Sequence, residues 1–447
     1  MFSIEPKKII FEQAVTVFLS IMIFFALTLP AVAENNPYRS DVVWVTTPNH
    51  NNWLYKTNES ASVKVSLYRY GMRVTNTEIE YEIGPDMLPS DTFDKVALDH
   101  GEATIAMGTL EAPGFKALRL KAKIDGKTYQ HHIKLGFSVD ELTAYTTMPE
   151  DFNAYWQKEL KKAKAVPYKV EKTFVPEFSN ELVDCYLVKI QAYKKGQYVY
   201  GYLTMPKKSG KFAAVISPPG AGVKPMTPEK HLFYAESGII RFDMEIHGIR
   251  PDLDRPTYNE ISAVFGEGNN SYLANGLDNR DNYYMKKAYL SMPRVVDFLT
   301  KLPQWDGKNM IAQGGSQGGA LALVLAGLDK RITAVSANHP ALSDMAGYKG
   351  GRAGGYPHFF TKFSGMDTPE KVKTMAYYDV VNFAHLIDVP AFMTWGFNDN
   401  TCPPTTSYIV YNTIKSEKSS LITPINEHWV STNTRHVILD WIKAGLK

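Results

Sequence analysis

Cysteine is nearly missing from this chain: Cys185 and Cys402 are the only two among 447 residues. A disulfide framework is thereby excluded, and neither thiol has a cysteine or histidine at metal-ligand spacing, so no zinc site is expected. The two thiols either form one bridge or stay as two buried groups, and the second reading is the simpler. Stability must come from a packed core, for which 44% apolar residues suffice. Strong charge is missing too. The formal net charge is +3, and no run of lysine and arginine interleaves with aromatics. That excludes a nucleic-acid partner held by electrostatics. Beyond the N-terminus no apolar run is long enough to span a bilayer.

One apolar run does open the chain. Lys7 and Lys8 precede "FLSIMIFFALTLP" (Phe18 to Pro30), and "AVA" (Ala31 to Ala33) offers small residues for cleavage. That order predicts a secretory signal peptide over residues 1–33. An uncleaved anchor would want nearer ~20 apolar residues and no cleavage motif. No cysteine lies at the cleavage point, which argues against a lipid anchor. Cleavage removes Glu5, Lys7, Lys8 and Glu12, so the mature chain keeps its charge of +3. The expectation is an exported protein, periplasmic or extracellular, with no membrane attachment after cleavage.

Residues 34–138 read as a small all-β domain. "SVKVSLY", "EIEYEI", "EATIAM", "FKALRLKAKI" and "YQHHIKLGF" alternate apolar and polar positions. Asp125-Gly126 between the last two is a hairpin signal, because both turn residues need positive φ. Several short strands without a helix predict a β-sandwich of immunoglobulin-like type. His131 and His132 point to opposite faces of one strand and are expected at the surface. Trp53 and Tyr55 in "NNWLYK" form either a stacking surface for glycan or ordinary core.

The pattern changes over residues 139–447. "PEDFNAYWQKELKKAKAV" (Pro149 to Val166) has the acidic start, basic end and apolar spacing of an amphipathic helix. An antiparallel strand pair follows, "LVDCYLVKIQAY" and "QYVYGYLTMP". Short apolar strands then alternate with helical runs over Tyr283 to Leu302, Gln317 to Leu328, Thr405 to Lys415 and Ser431 to Ala444. This predicts an α/β fold, a mostly parallel sheet with helices on both faces. Asn259 to Asp281 is a long polar and aromatic insertion, of the kind that overhangs a site.

Within that region "AQGGSQGGALA" sets four glycines around Ser316. The strand "KNMIAQ" precedes it and the helix "GALALVLAGL" follows. A G-x-S-x-G nucleophile elbow requires this context: the serine is held strained above the sheet edge, and side chains at 314 and 318 would collide with neighbours. A serine hydroxyl needs a base, and the base needs an orienting acid, in the chain order serine, acid, histidine. Of the downstream histidines His339, His358, His385, His428 and His436, only the last two follow a suitable acid. His436 falls mid-helix. His428 lies between the last strand and the last helix, and Asp399 follows the strand "PAFMTWGF", whereas Asp388 precedes it and Glu427 adjoins His428. Ser316 is therefore the expected nucleophile, His428 the base and then acid, and Asp399 the orienter. Oxyanion donors are expected from the N–H of Gln317 and from "SPPGAGVKP" (Ser217 to Pro225), with Ala221 the candidate.

From about Met148 to the C-terminus the sequence resembles the acetyl xylan esterases that include cephalosporin-C deacetylases, carbohydrate esterase family 7 of the α/β-hydrolase superfamily. The resemblance rests on "PEDFNAYWQKEL", on "NGLDNRDNYYMKKAYLSMPRVVDFL" leading to "GGSQGGALALVLAGLD", and on "GFNDNTCPPTTSYIVYN". It implies the α/β-hydrolase fold and triad roles for Ser316, Asp399 and His428. It also implies closed hexamers, an assembly that the extra N-terminal domain calls into question, so a homo-oligomer stays open. Three positions depart from the family pattern: His247-Gly248-Ile249 replaces Arg-Gly-Gln, Trp429 follows the histidine in place of Glu, and Ala221 stands where a tyrosine is common. His247 is either a substrate contact or a structural loop residue.

The function so implied is a secreted serine esterase that removes O-acetyl groups from acetylated xylo-oligosaccharides or related sugars through an acetyl-enzyme, with no cofactor or metal. Acyl transfer is legible in the residues; the acetyl preference comes from the resemblance alone. Two other readings are open. A serine peptidase of the prolyl oligopeptidase kind shares the fold, but about 100 N-terminal residues are too few for its propeller. A non-catalytic carbohydrate-binding protein would not need serine, acid and histidine intact.

Overall fold

The computed structural model describes residues 41–362 and 364–447, so the expected signal peptide lies outside the described residues. Nine strands come first: β1 (Val42–Pro48), β2 (Leu54–Tyr55), β3 (Ala61–Arg69), β4 (Met72–Arg73), β5 (Glu78–Pro85), β6 (Thr92–Ala97), β7 (Glu102–Gly108), β8 (Gly114–Ile124) and β9 (Lys127–Phe137). They build two sheets. β1, β4 and β7 all pair with β3, and the other sheet runs β2-β9-β8-β5-β6. The period-2 alternation turns Val63, Val65 and Leu67 of β3 inward, against Leu118, Leu120 and Ala122 of β8 and Ile133 and Leu135 of β9. Asp125 and Gly126 form the two-residue turn between β8 and β9, with φ of 48° and 75°. The sequence pattern missed β1, β6 and the two-residue strands β2 and β4; β6 is an edge strand whose residues are almost all exposed, so no alternation marks it.

One sequence expectation here needs correction. His131 and His132 are partly buried rather than free at the surface: His131 faces Thr46 and Trp44, and His132 meets the backbone carbonyl of Asn398. Of the two readings left open for Tyr55, ordinary core is the one that the structure bears out, its hydroxyl donating to Asn49 and its ring stacked on Phe137.

Nine further strands make one sheet: β10 (Val170–Phe174), β11 (Val183–Gln191), β12 (Tyr198–Pro206), β13 (Phe212–Ser217), β14 (Ile240–Met244), β15 (Trp305–Gly315), β16 (Ala334–Asn338), β17 (Ala391–Trp395) and β18 (Lys418–Ile422). Its order is β10-β11-β12-β14-β13-β15-β16-β17-β18. β10, β11, β12 and β14 pair antiparallel, and everything from β14 to β18 is parallel. Every residue of β13, β14 and β17 is buried, as expected of parallel strands covered on both faces.

The covering helices are α1 (Phe152–Lys164), α2 (Leu232–Glu236), α3 (Arg255–Val264), α4 (Met285–Leu299), α5 (Gln317–Leu328), α6 (Pro369–Ala376), α7 (Val380–Ala384), α8 (Pro404–Thr413) and α9 (Thr432–Ala444). α2 and α9 cover one face, where Tyr234, Ile438 and Ile442 meet Ala213, Val215 and Ile311. α4, α5 and α7 cover the other. α5 is apolar all round because it is buried along almost its whole length, a sequence signature of a central helix. Cys185 and Cys402 are both buried free thiols.

One residue of β8 leaves the sandwich core for the larger one. Phe115 is 3% exposed, edge-on to Phe397 at 5.1 Å and 5.8 Å from Tyr408. Phe115→Ala should destabilise the protein by about 3–5 kcal/mol in urea unfolding. A loss below about 1 kcal/mol would show that this ring does not fasten the two cores.

Candidate active site

β15 ends at Gly315 and α5 starts at Gln317, leaving Ser316 alone at the corner with φ 57° and ψ −124°. That conformation strains an L-residue and survives only when its surroundings fix it. Here the Ser316 N–H donates to the Asn338 carbonyl at 3.0 Å, and its own carbonyl accepts from Ala320 and Ala341. A Cβ on Gly314 would fall 2.4 Å from the Gly318 backbone, and one on Gly318 would fall 2.4 Å from the Pro218 carbonyl oxygen. The turn is therefore pressed between its own helix and the loop after β13, and glycine is required at both places.

The loop after β17 carries Asp399, and the segment between β18 and α9 carries His428. The Asp399 carboxylate has no exposure. Its Oδ1 accepts from the Thr401 and Cys402 N–H groups at 2.7 and 2.8 Å, and its Oδ2 accepts from His428 Nδ1 at 2.7 Å. A carboxylate on Nδ1 requires that nitrogen to carry the proton, so Nε2 is left as an acceptor. The Ser316 hydroxyl donates to it at 3.0 Å. The structure thus brings together all three residues chosen from sequence, while His436 sits beside Phe233 and Asp388 pairs with Lys330.

Gln317 stands at the start of α5, where backbone N–H groups have no intrahelical acceptor and the helix dipole favours negative charge. Its side chain is fully buried and ties down the facing loop. Oε1 accepts from the Tyr272 hydroxyl at 2.7 Å, and the Tyr272 oxygen accepts from the Gly222 N–H at 3.1 Å. Ala221, half-buried, lies between this tie and the Pro219 and Gly220 carbonyls that face Gln317 Nε2 at 3.4 and 3.5 Å. The 259–281 insertion does reach the site, through Tyr272. Sequence reasoning named that insertion but not the tyrosine, since nothing distinguishes Tyr272 from Tyr283 and Tyr284 in a string of letters.

A second residue escaped the sequence. His339 is 6% exposed, has φ 30°, and lays its ring 4.3 Å from that of His428. Burial, helped by the neighbouring imidazole, pulls it down to about 4, so it is neutral at pH 7. Its order in the chain, ahead of any suitable acid, hid it. His339, Asp399 and His428 are also the one group of metal-ligating side chains near enough to share an ion among the described residues, within 4.8 Å of one another. Asp399 and His428 are already bonded to each other. His247 Nδ1 meets the Tyr284 hydroxyl at 2.7 Å, and its ring packs on Tyr272 and Phe265. Behind it, burial pushes the Glu245 carboxyl up to about 7 although three backbone N–H groups point at it.

Fold and site together describe an esterase of the α/β-hydrolase kind. Residues 134–444 match the family described as acetyl xylan esterase (AXE1). Among curated proteins, the acetyl esterase Axe7A of Xylanibacter ruminicola is 52% identical over 448 residues, covering all of both chains. Among solved structures, the acetyl xylan esterase 1 of Thermoanaerobacterium sp. JW/SL YS485 aligns with TM-score 0.59 and 25% identity over 68% of this chain and 96% of its own. The acetyl xylan esterase of Paenibacillus sp. R4 shares the fold with TM-score 0.61 and 23% identity, over 69% of this chain and 98% of its own. The chain belongs to the acetyl xylan esterase family and is a carboxylic ester hydrolase.

Two outcomes follow from the geometry. Gly318→Ala drives a Cβ into the Pro218 carbonyl and should destabilise by more than about 2 kcal/mol while lowering ester hydrolysis sharply; thermal unfolding and turnover within error of wild type would contradict the close approach. His339 is depressed to about 4 in the fold against 6.5 unfolded. Unfolding therefore takes up a proton between those values, and the stabilisation, complete above about pH 6.5, is lost as pH falls to 4, by about 3 kcal/mol. Urea midpoints at pH 7 and pH 4.5 should converge more closely in His339→Gln than in wild type.

Proposed function

We propose that this protein is an exported serine esterase that removes O-acetyl groups from acetylated xylo-oligosaccharides or related sugars. The observation that carries the reading is the unbroken chain Ser316 Oγ, His428 and Asp399, at 3.0 and 2.7 Å. Family membership and the acetyl esterase at 52% identity support acetyl as the acyl group. In this reading residues 1–33 are the signal peptide, 34–138 the N-terminal sandwich and 139–447 the catalytic body. Among the described residues no helix is long and apolar enough to cross a membrane.

Chemistry begins when Ser316 Oγ attacks the acetyl carbonyl carbon and its proton passes to His428 Nε2. Charge collects on the carbonyl oxygen, where the N–H groups of Gln317 and Ala221 receive it; one such donor is typically worth about 10²–10³ in rate. Collapse expels the sugar oxygen, which takes the proton from His428. The acetyl group is then on Ser316. Water enters, gives a proton to His428 and attacks the acetyl carbon, and acetate leaves as Ser316 recovers its proton. Asp399 keeps the imidazole in the Nδ1–H tautomer and balances its transient positive charge.

The test is acetate release from acetylated xylo-oligosaccharides by residues 34–447. Ser316→Ala should lower kcat by about 10⁶, and Asp399→Asn by about 10⁴, the size seen when a triad aspartate is neutralised elsewhere. Wild type that releases no acetate, even from a small activated acetyl ester, would sink the reading.

A further inference from the structure

The segment that carries Asp399 is held from outside the catalytic sheet. Lys134 of β9 is 1% exposed. Its ammonium lies 2.7 Å from Asp86 Oδ1, both side chains being 2% exposed, and donates to the backbone carbonyl of Asp399 at 2.7 Å. Asp86 follows β5 and accepts with its other oxygen from the Thr405 hydroxyl at 2.9 Å, at the start of α8. The Lys134 backbone N–H donates to Asn398 Oδ1 at 3.1 Å, and His132 Nε2 donates to the Asn398 carbonyl at 2.7 Å. Asn398 in turn donates through Nδ2 to the Ile425 carbonyl at 3.3 Å, three residues before His428.

Four of these contacts, from Lys134 Nζ, the Lys134 N–H, His132 and Asp86, run from the sandwich to the segment from Asn398 to Thr405. Two buried charges are costly unless each finds further partners. This pair finds them on the acid loop: the ammonium on the Asp399 carbonyl and the carboxylate on Thr405. The ammonium touches the backbone of the acid and leaves its carboxylate to His428, so it sets where Asp399 stands without competing for it. Most of the sandwich, including Asp86 and Phe115, precedes the family match, which starts at Lys134.

We propose that the N-terminal sandwich is a working part of the active site, in which the Lys134–Asp86 pair, aided by His132, positions Asp399 for His428. The proposal rests on Asp399 being the triad acid. Lys134 and Asp86 are positioning residues, since neither touches the reacting atoms. Turnover then depends on a domain that carries no catalytic group of its own.

The test is a double-mutant cycle on acetate release, with folding followed by circular dichroism and thermal melting. Lys134→Met should lower kcat at least tenfold while KM stays within twofold. In an Asp399→Asn background, where the acid no longer does its work, the same change should cost less than a further twofold. Lys121→Met, which breaks a sandwich ion pair with Glu82 remote from the loop, should leave both constants unchanged. If Lys134→Met does not fold, Lys134→Met/Asp86→Leu removes both charges and with them the unpaired one; His132→Ala, at a partly exposed position, gives the same comparison with smaller amplitude. Folded variants that keep kcat within twofold overturn the proposal, and so do losses that multiply in the Asp399→Asn background. An Asp399→Asn enzyme with wild-type kcat would overturn the triad assignment first, and the positioning role with it.

Discussion

A carboxylate with no access to water must find every partner inside the protein, and Asp399 is such a group. Leaving an ion like this unsatisfied would cost several kcal/mol. The surroundings answer with two backbone N–H groups on one oxygen and an imidazole on the other. That arrangement dictates much else. The loop must turn back on itself to bring the N–H groups of Thr401 and Cys402 onto their own neighbour, and His428 must arrive from the far side of β18 with its Nδ1 protonated. Once that proton is placed, the only nitrogen open to Ser316 is an acceptor. One desolvated charge thus selects the imidazole tautomer that Ser316 meets.

The serine corner is a second constraint of a different kind, steric rather than electrostatic. Ser316 is held off the usual backbone regions by three hydrogen bonds and by backbone packed at glycine distances on both sides. The loop after β13 presses on Gly318, and the Tyr272 hydroxyl bridges that loop to the Gln317 side chain. Strain at Ser316 and order in the facing loop are thereby parts of one packed unit.

Much of this was readable in the letters because it follows from local rules. Glycines at 314 and 318 announce a close approach; continuous apolar runs announce parallel strands; the order Ser316, Asp399, His428 follows from where loops fall after strands. Strand β6 was hidden because an exposed edge carries no alternation, and β1 because it sets valines on its exposed face as well, so apolar and polar letters do not alternate along it. Tyr272 and His339 were hidden for another reason. Each matters through a partner far along the chain, Gln317 in one case and His428 in the other, and no spacing rule links them. His131 and His132 were misplaced for the same reason: period 2 says which face a residue takes, not what that face will meet.

Strand β9 belongs to two neighbourhoods at once. Along Lys127–Phe137 it pairs with β8 at every position, and through His132 and Lys134 it also grips Asn398 and Asp399 after β17. A chain trimmed to begin at Lys134, where the family match starts, would keep four residues of that strand without the hairpin that orders them. It would also uncover Phe397 and Tyr408, now sealed by Phe115. The two halves are therefore not interchangeable modules. Grafting this sandwich onto another esterase, or exchanging it between relatives, has to carry the 398–405 segment with it as a matched set.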